Sequence, residues 1–262
     1  MMQIFARIQT LAEMSVSELL ERFASMGFDG VELCLEHPEL NPKTLTPAKI
    51  GEVRATLANL SLDCSVSWHR DYIHDDAIFR QMLEVLPLAA EFGARVFVIS
   101  GGRRRMQGEE WAITCRRTRE LALCAAEHEL VLALEFEPGF VVGSTADLLQ
   151  LFADVSVSAL QANLDLGHVF LCDPDPHESI MALRGKIAHG HVENMPHGEH
   201  RHLPLWMGDM NLSHYLQWLS EIGFSGPLAF DYYAEDYLTV AERVPRYFRE
   251  LLSSCREDMY SS

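Results

Sequence analysis

Short runs rich in aliphatic and β-branched residues alternate with longer stretches of helical spacing, eight times over, and this alternation constrains the fold more than any other feature. Residues 4–8, 30–35, 63–67, 95–99, 131–136, 160–165, 187–192 and 227–232 read as strands. The segments between them carry helix punctuation. Ser15 followed by Glu18 is a capping box, Thr46-Pro47 places a cap before a first-turn proline, and Ser144 and Pro176 mark later starts. Gly27 and Gly93 stand where helices should stop. Strands joined through helices must run parallel with right-handed crossovers. Eight such units predict an α/β fold closed into a single (β/α)8 TIM barrel, with no Pro/Gly/Ser-rich linker to divide residues 1–262 into more than one domain.

Charge narrows the partners. Acidic residues number 38 against 21 basic ones, a formal net charge of -17. Nucleic-acid binding draws its affinity from Lys and Arg on phosphates, so neither nucleic acid nor an anionic membrane surface is the expected partner. No long apolar segment reads as a membrane span, and the six cysteines lack any C-x-x-C pairing, as expected of free thiols in a reducing cytoplasmic setting. The only lysines are Lys43, Lys49 and Lys186. Lys186 falls at the amino end of its strand and Lys49 on a helix, which argues against Schiff-base chemistry.

Barrel enzymes act where strands end and the following loops begin. The fifth to eighth strands end on Glu135, Asp165, His191 and Asp231, four side chains able to ligate a metal. Three carboxylates roughly 4 Å apart repel by about 4 kcal/mol per pair at an effective dielectric of ~20, so a buried set must take up protons or hold a cation. Oxygen donors with one imidazole suit a single divalent ion, Mn²⁺, Mg²⁺, Co²⁺, Fe²⁺ or Zn²⁺, without choosing among them.

These residues, with the turn Asp165-Leu166-Gly167-His168 and the run Arg201-His202-Leu203-Pro204-Leu205 leading to Gly208-Asp209, resemble the xylose isomerase-like TIM-barrel family of sugar isomerases and epimerases. The likeness spans nearly the whole chain as a pattern of units and is sharpest over residues 131–232. It implies that Glu135, Asp165, His191 and Asp231 ligate the metal, that Glu135 and Asp231 move protons, and that His168 and Arg201 hold substrate oxygens. His202 shares that motif. Glu137 is expected as a spare ligand or hydroxyl acceptor, and His69 and Trp206 as pocket residues. Two positions depart from the family pattern: Asp231 stands where a longer Glu is usual, and Trp206-Met207 follow the Arg201 run where Gly-Glu is common.

The resemblance implies a metal-dependent isomerase or epimerase of a small keto-sugar or polyol, working by proton abstraction beside a carbonyl through an enediolate. The same chemistry with loss of a β-hydroxyl gives a dehydratase or other lyase on an inositol-like or keto-sugar substrate. A non-catalytic barrel that binds a metal or ligand is the third expectation. A homo-oligomer is compatible with all three.

Overall fold

A computed structural model describes residues 1–8, 11, 13–106 and 108–260. Eight parallel strands close in sequence order, each pairing with the next and the last with the first. They are β1 (Gln3–Arg7), β2 (Gly30–Cys34), β3 (Asp63–Ser67), β4 (Val96–Ser100), β5 (Val131–Glu135), β6 (Leu160–Asp165), β7 (Ile187–Val192) and β8 (Pro227–Phe230). The chain is therefore a (β/α)8 TIM barrel, as its periodicity predicts.

Local chemistry sets the helix boundaries. Ser15 and Glu18 exchange side-chain and backbone hydrogen bonds around the start of Val16–Met26, and Gly27 ends that helix in the left-handed region at φ 88°. Two helices follow β3, Asp76–Val85 and Leu88–Phe92, divided at Pro87, which has no N–H to continue the first. β1 begins and ends one residue earlier than expected, and β8 stops at Phe230, two residues short.

Alternation sends every second side chain outward under the helices. Ile4, Ala6, Val31, Leu33, Leu132, Leu134 and Leu164 are fully buried there against helix residues such as Leu19, Phe23, Leu121 and Leu216. Inside the barrel, Phe5 lies edge-on to His189. Gly30 faces that ring across the sheet, and a Cβ on it would collide with Phe5 and the Asp63 carbonyl. From His189 upward the interior is polar, and this places charge at the carboxyl ends of the strands.

Candidate active site at the carboxyl ends of the strands

His191, at the centre of the site, is fully buried on β7. Its Nε2 lies 2.9 Å from Glu32 Oε2 on β2. Its Nδ1 lies 3.1 Å from Glu135 Oε2, 3.5 Å from Asp231 Oδ2 and 3.8 Å from Asp165 Oδ2. Four donor atoms converging in this way need a positive charge among them, either a proton on Nδ1 or a cation. Without an ion, the proton serves. Burial works to lower the His191 pKa, yet Glu135, Glu32 and Asp165 together hold it well above its ordinary value. Burial likewise opposes ionisation of Glu135, but His191 holds that carboxyl down at about 2.

The donor set also fits a divalent ion. Ligands about 2.1 Å from a common ion lie roughly 3.0–3.5 Å from one another, close to the spacing around Nδ1. Asp165 Oδ2 is buried and has no hydrogen-bond partner among the described residues. Glu32 accepting the Nε2 proton would leave Nδ1 as the lone-pair donor, the arrangement that commonly orients a ligating histidine.

A layer below supports the set. Ser65 Oγ donates to His189 Nε2 at 3.0 Å, His189 Nδ1 donates to Asn163 Oδ1 at 2.8 Å, and Asn163 Nδ2 donates to Glu135 Oε2 at 2.8 Å. The order follows from Asn163 Oδ1 being only an acceptor. Burial pushes His189 down to about 3, so it stays a neutral relay.

β1 brings a second, permanent cation. The Arg7 guanidinium is buried, pairs with Glu32 through Nε at 2.8 Å and closely with Asp231 Oδ1, and donates to Tyr233 Oη at 2.8 Å. Tyr233 in turn donates to Asp231 Oδ2 at 3.2 Å. Asp231 thus offers one oxygen to Arg7 and the other to the cluster.

The remaining expected residues divide. His69 lies beside the cluster, with Nε2 3.2 Å from Arg7 Nη2 and Nδ1 3.2 Å from Ser100 Oγ. His168 is buried, its Nδ1 3.4 Å from Glu135 Oε1, and His202 Nδ1 is 3.6 Å from Asp231 Oδ2. Glu137 lines an adjoining cavity of about 550 Å³ with His69, Ser100, Arg70, Arg103 and Arg105. Two residues are not brought in. Arg201 is 58% exposed and pairs with Glu199 at 3.6 Å, leaving His200 as the neighbour of His168. Trp206 packs on Tyr247 and under the Arg243 guanidinium, 4.2 Å from its ring centre, against the closing helix instead of the pocket.

Sequence reasoning missed Arg7, Glu32, Asn163, His189 and the helix Leu166–Cys172. Asp165 caps that helix by accepting from His168 N, while Gly167 leaves room for Glu193, whose carboxylate accepts from Gly167 N at 2.7 Å. The pairs Asn163/Asp165 and His189/His191, polar at two-residue spacing on buried strands, were the available signal for the lower layer.

A family model described as xylose isomerase-like TIM barrel matches residues 20–257. A 3-dehydroshikimate dehydratase of Bacillus anthracis is 24% identical over 200 residues, covering 72% of this chain and 70% of that protein. The solved structure of an L-ribulose 3-epimerase superposes with a TM-score of 0.84 at 19% identity, over 99% of this chain and 97% of the other. A xylose isomerase-like TIM barrel protein from Mycobacterium smegmatis, solved in complex with magnesium, superposes with a TM-score of 0.80 at 20% identity over 97% of each chain.

Proposed function

The chain belongs to the xylose isomerase-like TIM-barrel family, and on that premise we propose that it is a divalent-metal-dependent isomerase or epimerase of a small keto-sugar or polyol. The observation that carries the reading is the convergence of Glu135, Asp165 and Asp231 oxygens on His191 Nδ1, within 3.8 Å, with the buried Asp165 Oδ2 accepting no hydrogen bond among the described residues. These four residues would hold the ion. When bound, such an ion polarises a carbonyl and a neighbouring hydroxyl of the substrate and so acidifies the C–H bond between them.

The chain's own groups would do the rest. Asp231, just past the end of β8, and Glu135, on β5, approach the cluster from different sides of the barrel, one to take the proton and the other to return it. Arg7, on Oδ1, and Tyr233, donating to Oδ2 at 3.2 Å, fix the Asp231 carboxylate with Oδ2 turned to the cluster. Asn163 holds Glu135 in the same way from below. His69, His168, His202 and Glu137 surround the approach and would orient substrate hydroxyls.

A dehydratase is the second reading, favoured by one observation. The cavity beside the cluster is lined by Arg70 and Arg103, with Arg105 paired to Asp71 at 3.2 Å, guanidiniums suited to a carboxylate, and the relative that is 24% identical is named a 3-dehydroshikimate dehydratase. Under this reading the same abstraction is followed by loss of a β-hydroxyl.

Metal analysis of the purified protein, combined with incubation of keto-polyols in D₂O, tests the proposal. Deuterium should enter at a carbon next to the carbonyl and should not do so in Glu135→Gln. A protein that binds no divalent ion and exchanges no proton would refute it. Appearance of an ultraviolet-absorbing unsaturated product from a keto-acid ring, without exchange into keto-polyols, would select the dehydratase.

A further inference from the structure

The loop after β8 carries two adjacent tyrosines, and only one enters the site. Tyr232 holds Asp236 Oδ1 through its hydroxyl at 2.9 Å, at the surface. Tyr233 is 43% exposed, yet its hydroxyl reaches the buried Arg7 and Asp231, so one side chain spans the mouth of the barrel and the cluster. Its ring stands edge-on to His202, with centres 4.8 Å apart. Tyr237 gives the contrast. It is buried, accepts from Arg7 N at 2.8 Å and points its own proton at the Phe230 carbonyl, a wholly internal role.

The two hydrogen bonds of Tyr233 are unequal. Arg7 Nη1 lies 2.8 Å from Oη, and a guanidinium only donates, so the phenol oxygen accepts there and its proton must go elsewhere. It goes to Asp231 Oδ2, 3.2 Å away. Hydroxyl bonds to oxygen are usually about 2.7–2.8 Å long, and those to a carboxylate about 2.5–2.7 Å. Arg7 therefore sets where the hydroxyl stands, and the bond to Asp231 is a loose one. Burial, helped by Asp231 and opposed by Arg7, pushes the phenol well above its ordinary range, so it keeps its proton and acts as a donor.

Asp231 Oδ2 is also the oxygen turned to the cluster, 3.5 Å from His191 Nδ1, while Oδ1 is held by Arg7. A cation drawing on Oδ2 would repel a hydroxyl proton lying beside it. The phenol O–H can answer by turning about the Cζ–Oη bond, because a hydroxyl hydrogen rotates to suit its partners. The oxygen stays on Arg7 and the ring stays against His202. Turned off Asp231, the proton is presented to whatever oxygen enters beside that carboxylate.

We propose, resting on the metal-dependent reading above, that Tyr233 is a substrate-contacting donor whose partner changes with occupancy. In the ion-free chain it satisfies Asp231 Oδ2; once an ion takes Oδ2, it donates to the substrate hydroxyl or carbonyl oxygen next to the carbon that gives up its proton. That oxygen gains negative charge as the proton leaves, and a donor already fixed in place stabilises it.

Calorimetric titration of the metal-stripped full-length chain with Mg²⁺, read beside solvent exchange into keto-polyols in D₂O or, if that is the activity seen, formation of the unsaturated product, tests the handover. Tyr233→Phe keeps the ring and removes the competitor for Oδ2, so it should bind Mg²⁺ roughly two- to tenfold more tightly than wild type, the worth of one ordinary hydrogen bond. At saturating Mg²⁺ its turnover should fall at least about tenfold, as for loss of a donor to a developing oxyanion. Tyr232→Phe should match wild type in both measurements. Weaker Mg²⁺ binding in Tyr233→Phe would overturn the proposal, since Tyr233 would then stay on Asp231 and position it for the ion. Unchanged Mg²⁺ affinity would overturn the handover, and undiminished turnover would overturn the contact with substrate. A wild-type chain that binds no Mg²⁺ would instead remove the metal-dependent reading and this proposal together.

Discussion

The two arcs of the barrel do opposite electrostatic work. The arc from β5 to β8 supplies acceptors, Glu135, Asp165 and His191, with Asp231 just past the end of β8. The arc from β1 to β4 supplies the charge that answers them, Arg7, together with Glu32, which receives His191 Nε2 from behind. The arcs meet where β8 pairs with β1, and Asp231 stands at that seam with one oxygen on each side. On the proposed reading one arc would take its cation from solution, whereas the other contains one, the Arg7 guanidinium, from the start.

The largest effect should come from the acceptor arc. Asp165→Asn or Glu135→Gln removes an anionic oxygen from the set around His191 Nδ1, and divalent affinity measured by calorimetry should fall by at least about 100-fold, beyond the ~10–100-fold typical of outer partners. Proton exchange should be lost with it. Conversely, saturating Mg²⁺ should raise the wild-type melting temperature and not that of either variant, because only a state that binds the ion gains from it. Equal melting shifts in all three proteins would place the ion elsewhere.

Breaking the other arc should act on stability first. Arg7→Met strands the buried Glu32 and Asp231 carboxylates, and removing one partner of such a pair typically costs about 3–5 kcal/mol. For a chain of this size that is a fall in melting temperature on the order of 10 °C. Divalent ions should recover part of the loss, since Asp231 no longer divides its oxygens. A variant as stable as wild type without metal would show that Arg7 contributes nothing net to the seam.

The difference between the arcs also explains what was legible in the sequence. Metal-competent residues in the acceptor arc end consecutive strands, so their convergence follows from periodicity alone. β3, β6 and β7 were placed to the residue by the same pattern. Arg7 carries no local signal. Its partners Glu32 and Asp231 stand 25 and 224 positions away, and a single arginine ending the first strand looks like any solvated residue. The helix Leu166–Cys172 was hidden because Gly167 reads as a turn, whereas its missing side chain serves the tertiary contact with Glu193.

A smaller effect tests the layer beneath the acceptor arc. Asn163→Ala removes the donor to Glu135 Oε2 and breaks the chain that begins at Ser65. Metal affinity should drop by roughly tenfold, the lower end of the range for groups that orient a ligand. His189→Leu should match it, because His189 acts only by orienting Asn163. An effect of His189→Leu much larger than that of Asn163→Ala would instead assign the histidine a direct part.

The smallest expected effect is the most discriminating between family likeness and geometry. By likeness Arg201 holds a substrate oxygen, and losing a charged hydrogen bond to substrate would cost about 1.5–3 kcal/mol, a factor of ten or more in kcat/KM. In the structure its guanidinium is 58% exposed and pairs with Glu199 at 3.6 Å, while His200 takes the position against His168. An exposed pair of that kind contributes about 0–1 kcal/mol. Arg201→Ala should therefore change kcat/KM by less than about threefold and leave the melting temperature where it is. A tenfold loss carried in KM would mean that the loop after β7 turns on binding substrate and brings Arg201 inward, so that neither arc but this loop completes the site.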